Sequence, residues 1–204
     1  EIKTEAFAEL FSEYPQHQRR IVEYHVAHEG ISRYVKFRGI YRDSLKRSRG
    51  QKEEDRLGVI FGRLIADKIA VCPLVHGAWV FLENVASQYK CFIAAGTPEV
   101  ELHPLVAHRG LGKFFDEVHG APTPKPEIFQ DILRRHTLDP SEVLSIGDAL
   151  SDFETAQFEG IPFVGRVRTG KSDLFPHGKT AALFHDFDDL GKEWSSILAR
   201  IRRP

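Results

Sequence analysis

Two aspartates four residues apart stand in the stretch VLSIGDALSDFETAQFEGIPFVG, residues 143–165. VLSIG is a short apolar run of the kind that forms a buried strand, and Asp148 is the first residue beyond its carboxyl end. Asp152 follows at the start of a helical pattern that Ser151 could cap and Gly160 would end. Two carboxylates brought together at a strand end repel unless a cation, a shared proton or a basic group compensates. Such an oxygen pair suits Mg²⁺, which keeps several waters and takes one or two carboxylates plus phosphate oxygens. Glu154, in the same turn, is read as an ordinary helix-dipole partner.

The elements around this pair fall into two regimes. From residue 4 to about 70 the apolar residues recur at helical spacing (Phe7, Leu10, Phe11; Ile21, Tyr24; Tyr34, Phe37, Tyr41; Leu57, Phe61, Ile65), which predicts about four helices and no strand. After Cys72-Pro73, short apolar runs alternate with helices: a helix near 77–89, the run CFIAA at 91–95, a helix from about Pro98, DEVHG, the helix PEIFQDILRRH with Pro126 at its first position, VLSIG, a helix from about Ser151, and PFVG. That alternation predicts an α/β fold with a doubly wound parallel sheet, whose sites form where loops leave the carboxyl ends of strands. The division expected is a helical domain over 1–70 and an α/β domain over 71–204.

Composition narrows the function classes. Lys and Arg number 28 against 29 for Asp and Glu, so no global field favours nucleic acid or an anionic membrane. No apolar run is long enough to span a bilayer. Two cysteines, Cys72 and Cys91, with no signal-peptide pattern suggest reduced thiols and a cytoplasmic location. The chain holds no Met and opens on Glu1 already in helical pattern, so a natural start upstream is expected.

As a set, these residues resemble the haloacid dehalogenase superfamily, and its phosphoglycolate-phosphatase-like branch in particular. SIGDALSDFETAQFEGIPFVG is similar to the fourth motif of that superfamily; GAPTPKPEIFQDIL sets Lys125 where the third-motif lysine lies, and CFIAAGTPEVEL resembles the second motif. GLGKFFDEVHG and HGAWVFLENV are similar to the stretches between and before them, and the helical first half resembles the family's cap, inserted after the first core strand. Two departures stand out. The first motif, Asp-x-Asp-x-Thr/Val, whose first Asp is the nucleophile, would lie upstream of Glu1 together with the first core strand, and DFDDL at 186–190 looks instead like the last loop and helix start. Ala95 stands where relatives carry a phosphate-binding Ser, leaving Thr97 and Gly96 as the phosphate-binding candidates.

The resemblance implies Mg²⁺-dependent hydrolysis of a small phosphorylated metabolite through an aspartyl-phosphate, with Asp148 and Asp152 at the metal and Lys125 on the phosphoryl group. The 204 residues alone are then expected to be inactive, for want of the nucleophile. A catalytically inactive protein binding a phosphorylated ligand or a partner is the alternative, and a dehalogenase, which uses no metal, is the third reading. Ser32, Arg33 and Lys36, neighbours on one helix face, form a candidate substrate patch on the cap, with a solvated basic face as its plain alternative. Arg200, Arg202 and Arg203 are read as a favourable helix end.

Overall fold

A computed structural model describes residues 2–48, 50–168 and 174–201. Arg202 and Arg203 of the basic tail lie outside the described residues; Arg200 sits in the last turn of the final helix.

The first half is helical, as the spacing requires. Helices α1 (Ile2–Leu10), α2 (Gln18–Ala27), α3 (Arg33–Gly39), which runs on through a π-turn at Ile40–Ser44, and α4 (Gln51–Val71) share one core. Phe7, Phe11, Ile21, Phe37, Tyr41, Phe61 and Ile65 meet there. The aromatic rings pack tilted or edge-on, with Phe7 and Phe61 centroids 4.7 Å apart and Phe37 and Phe61 at 6.2 Å, as ring quadrupoles favour. Arg109, just past a core helix, donates to the carbonyls of Ile69 and Ala70 at 2.8 and 3.2 Å. It thereby caps the end of α4 where the cap joins the rest of the chain.

The second half alternates as expected: α5 (Ala78–Ala86), β1 (Phe92–Pro98), α6 (Glu99–His108), β2 (Glu117–Ala121), α7 (Lys125–His136), β3 (Ser145–Gly147), α8 (Leu150–Phe158), β4 (Phe163–Arg166), β5 (Ala182–Phe184) and α9 (Phe187–Ile201). Every strand pairing among the described residues is parallel. Alternation along β4 sends Phe163 into a cluster with Phe153, Ala156 and Phe175, and sends Val164 into another with Phe81, Leu190 and Ile197. Helices therefore cover both faces, α7 and α8 on one and α5 and α9 on the other.

With the first core strand expected upstream of Glu1, the parallel strands form, among the described residues, two sheets: β1-β2 and β3-β4-β5. One edge of β1 and one edge of β3 have no strand partner, while α7 packs on β1 and on α8, and α8 packs on β3. The shared helices hold the half-sheets together across an open lane. Its walls are underfilled for inner parallel strands: Phe92 to Thr97 are only half-buried and Ile146 is exposed. β3 is also shorter than VLSIG. Ser145 donates to the Pro162 carbonyl at 2.9 Å, and Pro162 has no N–H to extend the ladder toward Val143.

Two local expectations need correction. Pro126 is the second residue of α7, which begins at Lys125. Ser151 does not cap α8, which starts one residue earlier behind Ala149; its hydroxyl donates instead to the Glu29 carbonyl of the cap at 3.0 Å. DFDDL opens α9 as expected, with the Asp186 carboxylate accepting from the Asp189 N–H at 3.0 Å, a bond that lowers its pKa.

Replacing Phe37 by Ala, which removes a ring buried against Phe7, Phe11 and Phe61, should cost about 3–5 kcal/mol. Chemical denaturation of both proteins measures it.

Candidate active site at the strand ends

The carboxyl ends of β1 and β3 and the start of α7 carry the residues singled out in the sequence. Lys125 opens α7, and its ammonium forms an ion pair with Asp152 in which both side chains are largely enclosed. The other Asp152 oxygen accepts from the backbone N–H groups of Ala149 and Asp148 at 3.1 and 3.3 Å. Asp152 thus ties the turn after β3 to Lys125. Asp148 points to different partners: its Oδ2 accepts from Arg168 at 2.8 Å and lies 4.0 Å from Arg166. The two aspartates share a turn, but each has its own cation.

The second-motif loop lies close by. β1 loses register with β2 between Ala94 and Pro98, which leaves Ala95, Gly96 and Thr97 in an irregular stretch. The cap presses on it. Gly30, in the left-handed region at φ +83°, lies so close that a Cβ there would be 2.2 Å from Ser151 Oγ and 3.3 Å from Lys125 Nζ. A Cβ on Gly96 would in turn meet the Gly30 carbonyl at 2.6 Å. Both glycines are therefore required by the approach of cap to core, and Gly30 by its backbone as well. The Thr97 hydroxyl has no hydrogen-bond partner among the described residues.

On the cap side, Arg33 and Lys36 are both buried, which sets aside the solvated-face alternative. Arg33 makes a two-pronged ion pair with Glu101 of α6, at 3.0 and 2.7 Å. Lys36 donates to His25 Nδ1 at 3.2 Å, and its pKa falls to about 8, first through desolvation and then through Lys3. Ser32 precedes α3 without capping it.

Sequence reasoning missed four residues here: Lys3, Glu29, Arg168 and Glu101. Lys3 keeps contact with solvent, yet the surrounding cleft lowers its pKa by desolvation, and Arg33 and Lys125 lower it further while Asp148 and Glu101 oppose them. Lys3 has no ion-pair partner among the described residues. Arg168 also approaches Glu29 of the cap, at 3.6 Å. For Arg168 a signal existed, since it lies just past the end of a strand. For Lys3, Glu29 and Glu101 no local pattern could have served, because cap docking alone brings them in.

Among the described residues no group of three His, Cys, Asp or Glu is placed to hold a metal ion. The donor chemistry still fits Mg²⁺ at Asp148, whose Oδ1 has no partner among the described residues, because this ion completes its shell with water and phosphate oxygens. Asp152 fits less well, with both oxygens engaged. Elsewhere, a cavity of about 510 Å³ lies between α6 and the outer edge of β2, lined by Glu99, His103, Glu117 and His119 among others; it shares no residue with this cluster.

Lys36 yields a test of its burial. Its folded pKa of about 8 lies below the ordinary value of 10.5, so unfolding takes up a proton between those pH values, and the stability tied to Lys36 rises with pH across that window. Below about pH 8 the buried ammonium opposes folding in full. Lys36→Met should therefore stabilise the protein most near neutral pH, with the gain shrinking toward pH 10.5. Urea melts of both proteins at pH 7 and pH 10 give the comparison.

The comparisons with known proteins bear on the family and the fold. A curated relative, the phosphoglycolate phosphatase of Rhodobacter capsulatus, is 39% identical over a stretch covering 44% of this chain and 45% of that protein. The match thus spans less than half of the relative. Among solved structures, β-phosphoglucomutase from Clostridium difficile superposes with a TM-score of 0.76 at 17% identity, covering 99% of this chain and 92% of that one. A predicted phosphoglycolate phosphatase from Haemophilus somnus gives 0.68 at 18% identity, covering 92% and 89%. The family model for haloacid dehalogenase-like hydrolases matches residues 1–158, most of the chain, and the protein belongs to that hydrolase family.

Proposed function

We propose that this chain is the cap and most of the core of a cytoplasmic, Mg²⁺-dependent phosphatase that hydrolyses a small phosphorylated metabolite through an aspartyl-phosphate. One observation carries the reading: Lys125, Gly96 and the turn after β3 meet beneath Gly30 at one set of strand ends, with Asp148 one residue past β3. In the site this implies, Lys125 and Lys3 bind the phosphoryl oxygens, Thr97 and the Gly96 backbone supply neutral donors, and Asp152 fixes the direction of the Lys125 ammonium. Mg²⁺ held in part by Asp148 would supply charge neutralisation at the phosphoryl group. The cap loop at Glu29–Ile31 lies against Lys125, Ser151 and Gly96, and water displaced by that approach would strengthen each of these interactions.

In this reading neither strand-end aspartate is the nucleophile: Asp152 is bound to Lys125, and Asp148, paired with Arg168 through Oδ2, is assigned to the metal. The lane between β1 and β3 is where an attacking carboxylate would reach the phosphoryl group, carried on one further parallel strand. No helix among the described residues is long and apolar enough to cross a membrane.

Two measurements test this. The 204 residues alone, given p-nitrophenyl phosphate and Mg²⁺, should show no turnover above background, and the same chain preceded by an apolar strand ending in Asp-x-Asp should turn over. Turnover by the 204 residues that is lost in Asp186→Asn or Asp188→Asn would place the nucleophile in DFDDL and overturn the assignment. Asp148→Asn should weaken Mg²⁺ binding about tenfold or more in calorimetric titration; equal binding by both proteins removes Asp148 from the metal.

A further inference from the structure

Arg33 is a cap cation set against α6 of the core, and its bonds are already taken. Its two terminal nitrogens meet the two carboxylate oxygens of Glu101 at 3.0 and 2.7 Å, Nη1 also donates to the Gly58 carbonyl at 3.2 Å, and the guanidinium lies 4.8 Å from the Phe61 ring centroid. Arg33 itself is 5% exposed, whereas the Glu101 side chain keeps 37% of its surface. The pair has been given room: a Cβ on Gly62 would lie 3.2 Å from Glu101 Oε1 and 3.3 Å from Arg33 Nη1. Glu101 belongs to α6, which leaves directly from the end of β1 that carries Gly96 and Thr97. The exposed partner of this pair is therefore a fixed negative charge in the first turn of the helix that follows Gly96 and Thr97.

We propose that Glu101 determines specificity by withdrawing Arg33 from ligand binding, so that the cleft takes phosphomonoesters whose alcohol portion is uncharged and disfavours those with a second anionic group. This rests on the phosphatase reading of the same site. A second anion on the substrate would have to displace Glu101 from a two-pronged bond or sit beside its carboxylate, and like-charge juxtaposition of that kind is how interfaces reject a wrong partner. Arg33 then acts as a strut between cap and core, and the cations left to a phosphoryl group are Lys3 and Lys125.

The test uses binding, so it does not require turnover. Isothermal titration of the 204-residue chain compares inorganic phosphate, ethyl phosphate and 2-phosphoglycolate, the last two differing by a methyl against a carboxylate. The wild type should bind ethyl phosphate about tenfold more tightly than 2-phosphoglycolate, and Glu101→Gln should erase that preference while leaving ethyl phosphate within about twofold. Glu101→Ala should do the same, with circular dichroism showing each variant folded. A wild type that binds 2-phosphoglycolate as tightly as ethyl phosphate, or variants in which both ligands weaken together, would reduce Glu101 to a purely structural strut and overturn the proposal. Failure of all three ligands to bind would overturn the phosphatase reading itself, a result distinct from phosphate binding without discrimination.

Discussion

Charge pairing at the strand ends is the constraint on which the rest depends. Four carboxylates and several cations crowd the space between cap and core, and an isolated charge there would be expensive to desolvate. The arrangement resolves this by matching Asp152 with Lys125, Asp148 and Glu29 with Arg168, and Glu101 with Arg33. Each of these four pairs joins residues at least 20 apart in sequence, and two join cap to core. Pairing therefore does more than neutralise: it sets the turn after β3, aims Lys125 and seats the cap. Lys3 has no such match among the described residues.

Close backbone approach makes that pairing geometry possible. The cap meets the core through Gly30, Gly96 and Ser151, positions where a side chain would collide or where a hydroxyl reaches a carbonyl across the interface. Contacts of this kind fix separation to fractions of an ångström, the tolerance a binding constellation needs. The aromatic core of the cap keeps the Gly30 loop and Arg33 rigid with respect to each other, since α3 leaves that loop directly and buries Phe37.

The lane between the half-sheets stands apart from this well-matched region. A strand edge with free backbone groups and half-exposed apolar residues is a site that pairs readily with another strand. Here the carboxyl end of β3 leads to Asp148, and that of β1 follows Gly96, which approaches the same Gly30 loop as Lys125, so both strands end at the candidate chemistry.

The sequence by itself determined the helical first half, the β/α alternation of the second, and the strand-end addresses of Gly96, Thr97, Lys125 and Asp148, because periodicity, caps and glycines act over a few residues. Phe37 and Tyr41 could be read as core, and Gly160 as the end of α8, where it holds φ +69°. Sequence could not say which strands pair on either side of the expected first core strand, because strand partnership depends on contacts remote in the chain. Nor could it show that Arg33 meets Glu101, that Ser151 reaches Glu29, or that Asp148 and Asp152 take separate cations. Those outcomes rest on how the cap docks, and only the tertiary structure sets which charges lie within a few ångströms of one another.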